Sequence, residues 1–564
     1  MDFVGPVRKP ITPDQFDVIV IGGGINGVAI ARECARGGKR TLLLEQHDFA
    51  SGTTSRATRI IHGGLRYLEH GELSLVRESL KERERLLNER PHLVRLQEFV
   101  LALPKEYGRR SALAIRFGLW LYKHAGGHRQ AGIGRKSQLR DFDAALDSGL
   151  NLNYFSYEDA QCSFPERLVA EWLTEAVQAG AIVRNHTKVL QIIVSEGKAR
   201  GVIVRDLFTE QETEIAADWI VNATGPWVDS LLHESGIQEA RLIEGIRGSH
   251  LVIPSFPGAP KSALYTEAID SRPIFLIPWA DQLLLGTTEI EHNTDPAQAV
   301  PSRTEMQYLF LSLHRLFPNC GIGWGDVHYA YAGVRPLPYN SSRTTRIGFG
   351  SITRRHKLHD HLEHGIAGLI TLIGGKLTTA AKVGRECARA IGTRVADLPQ
   401  PVIAVRSSDG IDSALAEWSE TASHFGHVSP STAFAIAEWH GKSAINVVRL
   451  AASDAMLRQT LCPHTPHIVA EAVEAVRHEF AVSLADVLLR RVPVALGPCW
   501  DKECTRIAAR RIGETLRWPE ARINMEIEDF EIERSRFLYR IRADELSTAR
   551  PSALLVTATD QLRT

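Results

Sequence analysis

The order of apolar and polar positions near the start of the chain predicts a βαβ unit. Asp17–Ile21 is an apolar, β-branched run typical of a buried parallel strand. Gly22–Gly27 follows at once with the spacing G-x-G-x-x-G, and Ile25–Arg36 has the pattern of a helix. Thr41–Leu44 is a second apolar run, which predicts the next parallel strand. The pattern therefore predicts a glycine turn between the first strand and the helix.

Each glycine of this turn has a mechanical role in binding a dinucleotide. Gly22 permits the tight turn, Gly24 lets a pyrophosphate approach the backbone, and Gly27 lets helix and strand pack closely. The helix N-terminus presents N–H groups and a partial positive charge to the diphosphate. Glu45, 18 residues after Gly27, is placed to accept hydrogen bonds from a ribose. Because its carboxylate would repel a 2′-phosphate, NADP is disfavoured, and FAD and NAD remain.

The pattern becomes helical in the last third of the chain. Upstream of that region, Trp219–Gly225 and Gly368–Ile373 are apolar runs that predict strands, and Glu72–Arg90 alternates charges at helical spacing, which predicts a solvated helix face. The candidate helices of the last third are Ser431–His440, Ser443–Ala451 and Pro466–Glu479.

Composition excludes several classes of protein. The 564 residues are 44% hydrophobic and 23% charged, so a large core is possible and wholesale disorder is excluded. Lys plus Arg and Asp plus Glu both number 66, so no bulk charge attracts nucleic acid, and we expect no nucleic-acid partner. No stretch reaches the roughly 18 apolar residues that a spanning helix needs.

The seven cysteines are few and scattered, which indicates a reducing, cytoplasmic compartment. Cys499 and Cys504 are the only near pair, and no second pair is available to complete a zinc site. The histidines of residues 356–364 are expected to lie in an exposed hinge. We therefore expect no metal site.

The residues after Glu45 carry the phrases of a known family. Phe49–Ser55 is a small, hydroxyl-rich loop, and Arg59–His70 reads R-I-I-H-G-G-L-R-Y-L-E-H. Together with I-G-G-G-I-N-G near the start, these phrases resemble the FAD-dependent, aerobic-type glycerol-3-phosphate dehydrogenases, within the glycine-oxidase and D-amino-acid-oxidase-like flavoproteins. Residues 14–535 carry the resemblance. Further phrases follow in the expected order: Val221–Trp227, Gly248–His250, Ile277–Trp279, Gly286–Thr288, Gly333–Leu337, Gly374–Thr379 and Ala475–Glu479.

The resemblance implies an α/β fold, α+β overall. A Rossmann-like FAD-binding domain is interleaved with an antiparallel-sheet substrate domain, and a C-terminal helical domain follows. The expected boundaries are 14–72, 150–240 and 345–395 for the FAD-binding domain, 73–149 and 241–344 for the substrate domain, 396–535 for the helical domain, and 536–564 for a tail.

The activity that the resemblance implies is oxidation of sn-glycerol 3-phosphate to dihydroxyacetone phosphate, with hydride transfer to flavin N5 and electrons passed to a quinone. One alternative is a glycerol-3-phosphate oxidase using oxygen, although such enzymes usually carry a longer insertion in the substrate domain that this sequence lacks. Another is an amine or amino-acid oxidase on the same fold, which needs a carboxylate clamp with an apolar cage. A flavin-bound protein without turnover is a third.

A phosphorylated polyol requires fixed cations and a base. By resemblance, Arg66 and Arg335 contact the substrate, Lys376 lies near substrate or flavin, and Tyr67 adds a hydroxyl contact. Removing the hydroxyl proton near neutral pH suits histidine. His250 is the expected base and His62 is the second candidate, while Arg335 could stabilise the developing alkoxide.

The same resemblance implies the residues that contact FAD. Gly374 and Gly375 open a helix whose N–H groups and dipole can meet the negative charge that builds on a reduced flavin. The expected FAD-binding residues are Gly22, Gly24, Ile25, Asn26, Gly27, Glu45, Thr54, Ser55, Thr58, His62, Gly63, Gly64, Ala223, Thr224, Gly225, Gly374, Gly375, Lys376, Leu377 and Thr378.

Residues 109–124 are a candidate for membrane-surface contact. Bulky apolar side chains, with Trp120 and Tyr122 among them, lie between basic ends. The alternative is a buried helix with basic edges. Since the resemblance implies a membrane quinone as acceptor, we expect a cytoplasmic protein that can lie peripherally on the cytoplasmic face of a membrane. A homodimer stays open.

Overall fold

The structure is a computed structural model that describes residues 15–65, 71–104, 112–125, 145–270, 272–339, 353–393 and 408–538. Arg66, Tyr67 and nearly all of the expected tail, as well as the basic residues Arg109 and Arg110, lie outside the described residues.

The described residues form two sheets and a C-terminal helical region. The strands are β1 (Phe16–Ile21), β2 (Thr41–Leu44), β3 (Ile60–Ile61), β4 (Val94–Pro104), β5 (Leu152–Cys162), β6 (Ile182–Arg184), β7 (Thr187–Ser195), β8 (Lys198–Asp206), β9 (Glu212–Asn222), β10 (Ile243–Pro254), β11 (Ala263–Glu267), β12 (Pro273–Trp279), β13 (Gln282–Gly286), β14 (Ile290–Glu291), β15 (Tyr329–Pro338), β16 (Lys357–Asp360) and β17 (Leu369–Ile373). The helices are α1 (Ile25–Arg36), α2 (Leu73–Glu89), α3 (Ala112–Ala125), α4 (Pro165–Gln178), α5 (Val228–Glu234), α6 (Arg303–Leu316), α7 (Ala380–Ala390), α8 (Ser408–Gly426), α9 (Pro430–His440), α10 (Ala444–Ser453), α11 (Val469–His478), α12 (Leu484–Asp486), α13 (Lys502–Leu516) and α14 (Glu520–Phe537).

The first sheet has a parallel centre, as the opening pattern predicts. In the part of the chain that the structure describes, its order is β16-β17-β9-β1-β2-β6, and β8 and β7 continue from β9 in antiparallel pairing. Ile21 pairs with both Leu44 and Asn222, and Asn222 pairs with Thr371 of β17. Because the carboxyl ends of these strands coincide, the glycine turn, Glu45 and the loops after β9 and β17 meet at one edge of the sheet.

Helix α1 lies unusually close to strand β1. A Cβ atom on Gly27 would lie 1.8 Å from the carbonyl oxygen of Gly22, so no larger residue fits this contact. On the same helix Ala31 and Ala35 are buried. The short side chains let the start of the helix lie directly over the end of the strand, which points its N–H groups along the sheet edge.

The second sheet contains nine of the described strands, in the order β14-β10-β13-β12-β11-β4-β5-β3, with β15 paired to β10. It is antiparallel except for the β4–β11 pair, so the predicted fold class is confirmed. Strand β5 pairs along its whole length with β4, from Leu152 opposite Pro104 to Cys162 opposite Val94. The predicted segment 150–240 therefore begins with a strand of this second sheet. The domain boundaries themselves stay a prediction.

The helical region packs on the second sheet through a shared core. Phe99 and Tyr331 of the sheet lie in one buried cluster with Ile436 of α9 and Val473 of α11. The predicted helices α9, α10 and α11 are confirmed, although α11 begins three residues after the predicted start at Pro466. The residues before it form a closed loop instead, in which Thr460 pairs with Ile468.

Two predictions about charged residues are wrong. Helix α2 is not simply a solvated face, because Glu82 and Arg83 are buried and Arg83 Nη1 donates to Asp159 Oδ1 at 2.6 Å. The histidines of 356–364 are not in an exposed hinge, because His359 and His361 are buried. Glu239, distant in sequence, accepts a hydrogen bond from His359 Nε2 at 3.2 Å.

Candidate active site

Two adjoining cavities lie where the two sheets meet. A cavity of about 890 Å³ follows the carboxyl edge of the parallel sheet, from Glu45 past the glycine turn to Gly374. A second cavity of about 600 Å³ lies against the second sheet. They share a wall, which we call the common wall, formed by Thr53, Arg56, Ala57, Pro336, Gly374, Gly375, Lys376 and Leu377.

The glycine turn is shaped by contacts with the neighbouring loops. Gly22 has a φ of +106°, and a Cβ there would lie 2.6 Å from the carbonyl oxygen of Ala223. Glu45 Oε2 accepts a hydrogen bond from the Gly23 N–H at 2.7 Å, and burial raises the pKa of Glu45. Thr54 Oγ1 accepts from the Ile25 N–H at 3.0 Å. The carboxylate and the loop after it are therefore fixed beside the start of α1.

The second glycine turn lies against the first. Gly374 and Gly375 have φ values of +76° and +102°, and a Cβ on Gly375 would lie 2.7 Å from Asn26 Nδ2. Asn26 Oδ1 is buried and has no hydrogen-bond partner among the described residues. An elongated cavity between two glycine turns, lined by an unsatisfied acceptor and a half-buried carboxylate, fits a dinucleotide such as FAD.

Cations from separate elements line the smaller cavity. Arg335 Nη2, on β15, donates to Thr287 Oγ1 at 2.8 Å, and Glu289 Oε1 lies 3.8 Å from Arg335 Nη1. Arg354 Nη2 donates to the same Glu289 oxygen at 3.0 Å. Lys376 Nζ donates to a serine hydroxyl of α2 at 3.0 Å, and burial lowers the pKa of Lys376 to about 8.

Sequence reasoning missed Arg354. Together with Arg355 it also lines this cavity, and both residues come directly before β16. The only local signal is the Arg-Arg doublet, and its position at the cavity follows from the pairing of β16 with β17, which ends at the common wall.

His250 is held at the same cavity by two contacts. Its Nε2 and the Thr58 hydroxyl are 2.9 Å apart, and its ring stacks on Tyr331 with the centroids 4.9 Å apart. Its buried Nδ1 has no hydrogen-bond partner among the residues described. Burial and the nearby Arg335 lower the pKa of His250 to about 3, so the imidazole is neutral at neutral pH.

His62 also lines the smaller cavity. Its backbone N–H donates to Thr378 Oγ1 at 3.1 Å. Burial, with the charges of Lys376 and Arg354, lowers the pKa of His62 to about 3.

The structure brings most of the expected site residues to one of the two cavities. Among those it describes, Gly27, Ser55 and Gly63 line neither. Ser55 Oγ donates to the Ala50 carbonyl at 2.7 Å, and the Gly63 N–H donates to Tyr122 Oη at 2.8 Å, so both hold the loops behind the cavity. The residues at the larger cavity are Gly22, Gly24, Ile25, Asn26, Glu45, Thr54, Ala223, Thr224, Gly225, Gly374, Gly375, Lys376 and Leu377, and those at the smaller one are Thr58, His62, Gly64, His250, Arg335, Gly374, Gly375, Lys376, Leu377 and Thr378.

The fold and the paired cavities define a dinucleotide-dependent oxidoreductase, and comparisons with known proteins agree. The family described as FAD dependent oxidoreductase matches residues 17–381, and the C-terminal domain of alpha-glycerophosphate oxidase matches residues 373–523. A glycerol-3-phosphate dehydrogenase of Synechocystis is 38% identical over 507 residues, which cover 85% of this chain and 89% of that protein. A D-erythritol 1-phosphate dehydrogenase of Brucella abortus is 36% identical over 373 residues, covering 65% and 72%.

A solved structure is also similar along almost the whole chain. The glycerol-3-phosphate dehydrogenase from Bacillus halodurans, complexed with FAD, has a TM-score of 0.72 at 24% identity and covers 94% of this chain and 96% of its own. The chain therefore belongs to the FAD-dependent oxidoreductase family, among the glycerol-3-phosphate dehydrogenases, and its cofactor is FAD. None of the helices that the structure describes is long and apolar enough to cross a membrane.

Proposed function

We propose that this chain oxidises sn-glycerol 3-phosphate to dihydroxyacetone phosphate and passes the electrons to a quinone. The observation that carries the proposal is the common wall at Gly374–Leu377, where a cation-lined cavity adjoins the dinucleotide cavity. The residues of the larger cavity would hold FAD, which when bound would supply a two-electron acceptor. The names of relatives that cover most of the chain support the choice of substrate.

The cations suit a phosphate ester. In a chain with a formal net charge of zero, a dianion needs local positive charge, and Arg335, Arg354 and Lys376 converge on one cavity. Arginine offers two parallel N–H donors to phosphate oxygens, while lysine supplies a point charge. We assign the phosphate to Arg335 and Lys376. Arg66 and Tyr67 stay proposed substrate contacts on the resemblance.

His250 is the proposed base for the substrate hydroxyl. We assign Nε2 as the proton acceptor because its partner Thr58 lines the cavity, while Nδ1 is buried. The charge of Arg335 contributes to the low pKa of His250. A bound phosphate dianion offsets that charge, which raises the pKa of His250 toward its ordinary value and makes it a stronger base.

The apolar part of the smaller cavity suits an apolar electron acceptor. Ile115, Phe117 and Leu121 of α3 line the cavity, and Phe117 is 60% exposed. Trp120 is 53% exposed and stacks on Phe117, with the ring centroids 5.8 Å apart. The helix thus presents aromatic side chains outward while it borders the cavity, which supports peripheral contact with a membrane that holds the quinone.

Anaerobic mixing with candidate substrates tests the oxidation. Flavin absorbance is followed after addition of glycerol 3-phosphate, D-erythritol 1-phosphate, glycerol or glycine. We expect fast bleaching by glycerol 3-phosphate and none by glycerol or glycine, because only a phosphate engages the cations. Faster bleaching by D-erythritol 1-phosphate would reassign the substrate, and bleaching by glycine would refute a phosphate site.

The variant Arg335→Lys tests the proposed phosphate contact. It keeps the positive charge but loses the two parallel N–H donors of arginine. The KM for glycerol 3-phosphate should therefore rise by about 10-fold or more, as loss of a charged hydrogen bond predicts.

Reoxidation of the reduced enzyme tests the acceptor. A short-chain ubiquinone and air-saturated buffer are compared, and we expect the quinone to restore flavin absorbance faster. Equal or faster reoxidation by oxygen would favour an oxidase.

Sedimentation with phosphatidylethanolamine–phosphatidylglycerol vesicles tests the membrane contact. The fraction of protein that sediments with the vesicles should fall in the double variant Phe117→Ser with Trp120→Ser. It should not fall in Phe434→Ser, which changes an exposed aromatic residue of the helical region.

A further inference from the structure

Three side chains with metal-ligand chemistry converge in the C-terminal helical region. Cys462 and His464 lie in the loop before α11, and Cys504 lies in the first turn of α13. Their sulfur and imidazole nitrogen atoms all lie within 4.8 Å of one another. Cys504 Sγ and His464 Nδ1 are 3.5 Å apart. None of the three borders either cavity as the structure describes them.

These distances match the edges of a tetrahedral zinc site. With Zn–S bonds of about 2.3 Å and Zn–N bonds of about 2.0–2.1 Å, ligand atoms of a tetrahedron lie about 3.5–3.8 Å apart. The sulfur–nitrogen pair is already at that separation. The remaining pairs need movements of about 1 Å or less, which side-chain rotation supplies.

Cys499 lies next to this group, outside the three residues whose ligand atoms are within 4.8 Å of one another, and is the candidate for a fourth ligand. Its carbonyl oxygen lies 3.8 Å from Cys504 Sγ, and its own Sγ lies 4.0 Å from the carbonyl oxygen of His464. Cys499 is exposed while Cys462 and Cys504 are buried. An ion can therefore reach the cluster from solvent on the side of Cys499, while the two buried cysteines lie on the side that faces the protein interior.

The backbone around the cluster is built to hold it. Leu461 N–H donates to the His467 carbonyl at 2.8 Å, and Val469 N–H donates to the Gln459 carbonyl at 2.9 Å, which closes the loop that carries Cys462. Asp501 caps α13 by accepting from the Cys504 N–H at 2.8 Å.

We propose that Cys462, His464, Cys499 and Cys504 bind one structural Zn²⁺ ion. The expectation of no metal site rested on the missing second cysteine pair, and a Cys-x-His pair supplies the second half instead. Four protein ligands leave no open position, so the ion fastens the loop before α11 to the start of α13 and takes no part in the redox chemistry. Softer thiolate and imidazole donors favour zinc over magnesium or calcium.

Metal content of the full-length, FAD-loaded protein tests the site. Protein purified without chelator and under reducing conditions is analysed for zinc by plasma mass spectrometry, with FAD absorbance as the internal count of chains. We expect one zinc per chain. Reconstitution with Co²⁺ should give the thiolate charge-transfer and visible bands of a tetrahedral cobalt site. Protein that takes up no zinc after incubation with Zn²⁺, or that carries a Cys462–Cys504 disulfide under these conditions, would overturn the proposal.

Variants locate the ion. Cys504→Ser and His464→Asn should lose zinc and lower the melting temperature while the flavin spectrum stays unchanged. Cys320→Ser, a buried cysteine outside the cluster, is the matched control and should keep its zinc. Where a variant does not fold, chelator treatment of the unmodified protein gives the same readout. Zinc retained at full stoichiometry in Cys504→Ser would refute the ligand set, and zinc affinity unchanged in Cys499→Ser would refute the fourth ligand.

Discussion

A single methyl group at Gly375 tests the junction between the two cavities. Gly375→Ala forces a side chain onto a residue with a φ of +102° and places its Cβ 2.7 Å from Asn26 Nδ2. Backbone strain of this kind costs about 1–3 kcal/mol. Because the turn must keep this conformation to contact FAD, the strain opposes binding, and the dissociation constant for FAD should rise by about 5- to 150-fold.

Gly180→Ala is the matched control. Gly180 has a φ of +99°, no described atom outside its own neighbourhood lies within 4 Å of its Cβ position, and it lies in the turn after α4. Both variants carry similar strain from the positive φ, so both should lower the melting temperature, whereas only Gly375→Ala adds a close contact with Asn26. FAD affinity is measured by fluorescence titration of the deflavinated proteins. If Gly375→Ala binds FAD as tightly as Gly180→Ala does, the second glycine turn does not contact the cofactor and the reasoning is wrong.

Three further predictions follow from buried charges. Burial lowers the pKa of Lys376 to about 8, so the KM for a phosphorylated substrate should rise as the pH increases through 8, and Lys376→Arg should remove that rise in a pH series. Asp48 is buried against two arginines of the helical region, so Asp48→Asn should lower the free energy of unfolding in urea by about 3–5 kcal/mol. Glu212→Gln, in an exposed ion pair, should lower the same free energy by less than about 1 kcal/mol. Burial lowers the pKa of His250 from its ordinary 6.5 to about 3, so between these values the unfolded chain binds a proton that the folded chain does not. The free energy of unfolding should therefore decrease as the pH decreases from 6.5 toward 3. In urea titrations at pH 7 and pH 5, the decrease between the two pH values should be smaller for His250→Gln than for the unmodified protein.

The nucleotide half of the site could be predicted because its signals are local. The predicted helix Ile25–Arg36 and strand Thr41–Leu44 have the observed bounds, since a glycine turn, a β-branched run and small helical residues all agree there. The meeting of Glu45 with the glycine turn then follows from parallel pairing alone, because strand ends in a parallel sheet share an edge.

The substrate half could be predicted only in part, because its contacts join distant segments. Arg354 becomes a cavity residue through the pairing of β16 with β17, and Glu82 is buried on α2 because Arg385 lies across from it. Charge alternation along α2 gives no information on a partner that is 303 residues away. The cluster at Cys504 was missed for the same reason, since its closest ligand atom belongs to His464, 40 residues earlier.

The dispersed origin of the cations explains how the proposed phosphate site can form in a chain with a formal net charge of zero. Arg335, Arg354 and Lys376 come from different parts of the chain, and each is held at the smaller cavity by a neutral hydroxyl or by the carboxylate of Glu289. Burial is the main cause of the low pKa of His62, and the positive charges of Lys376 and Arg354 lower it further because like charges oppose protonation. A phosphate dianion relieves this repulsion, whereas a neutral polyol does not. The proposed selectivity for a phosphorylated substrate therefore depends on the assembled fold, because no single segment of the sequence carries all three cations.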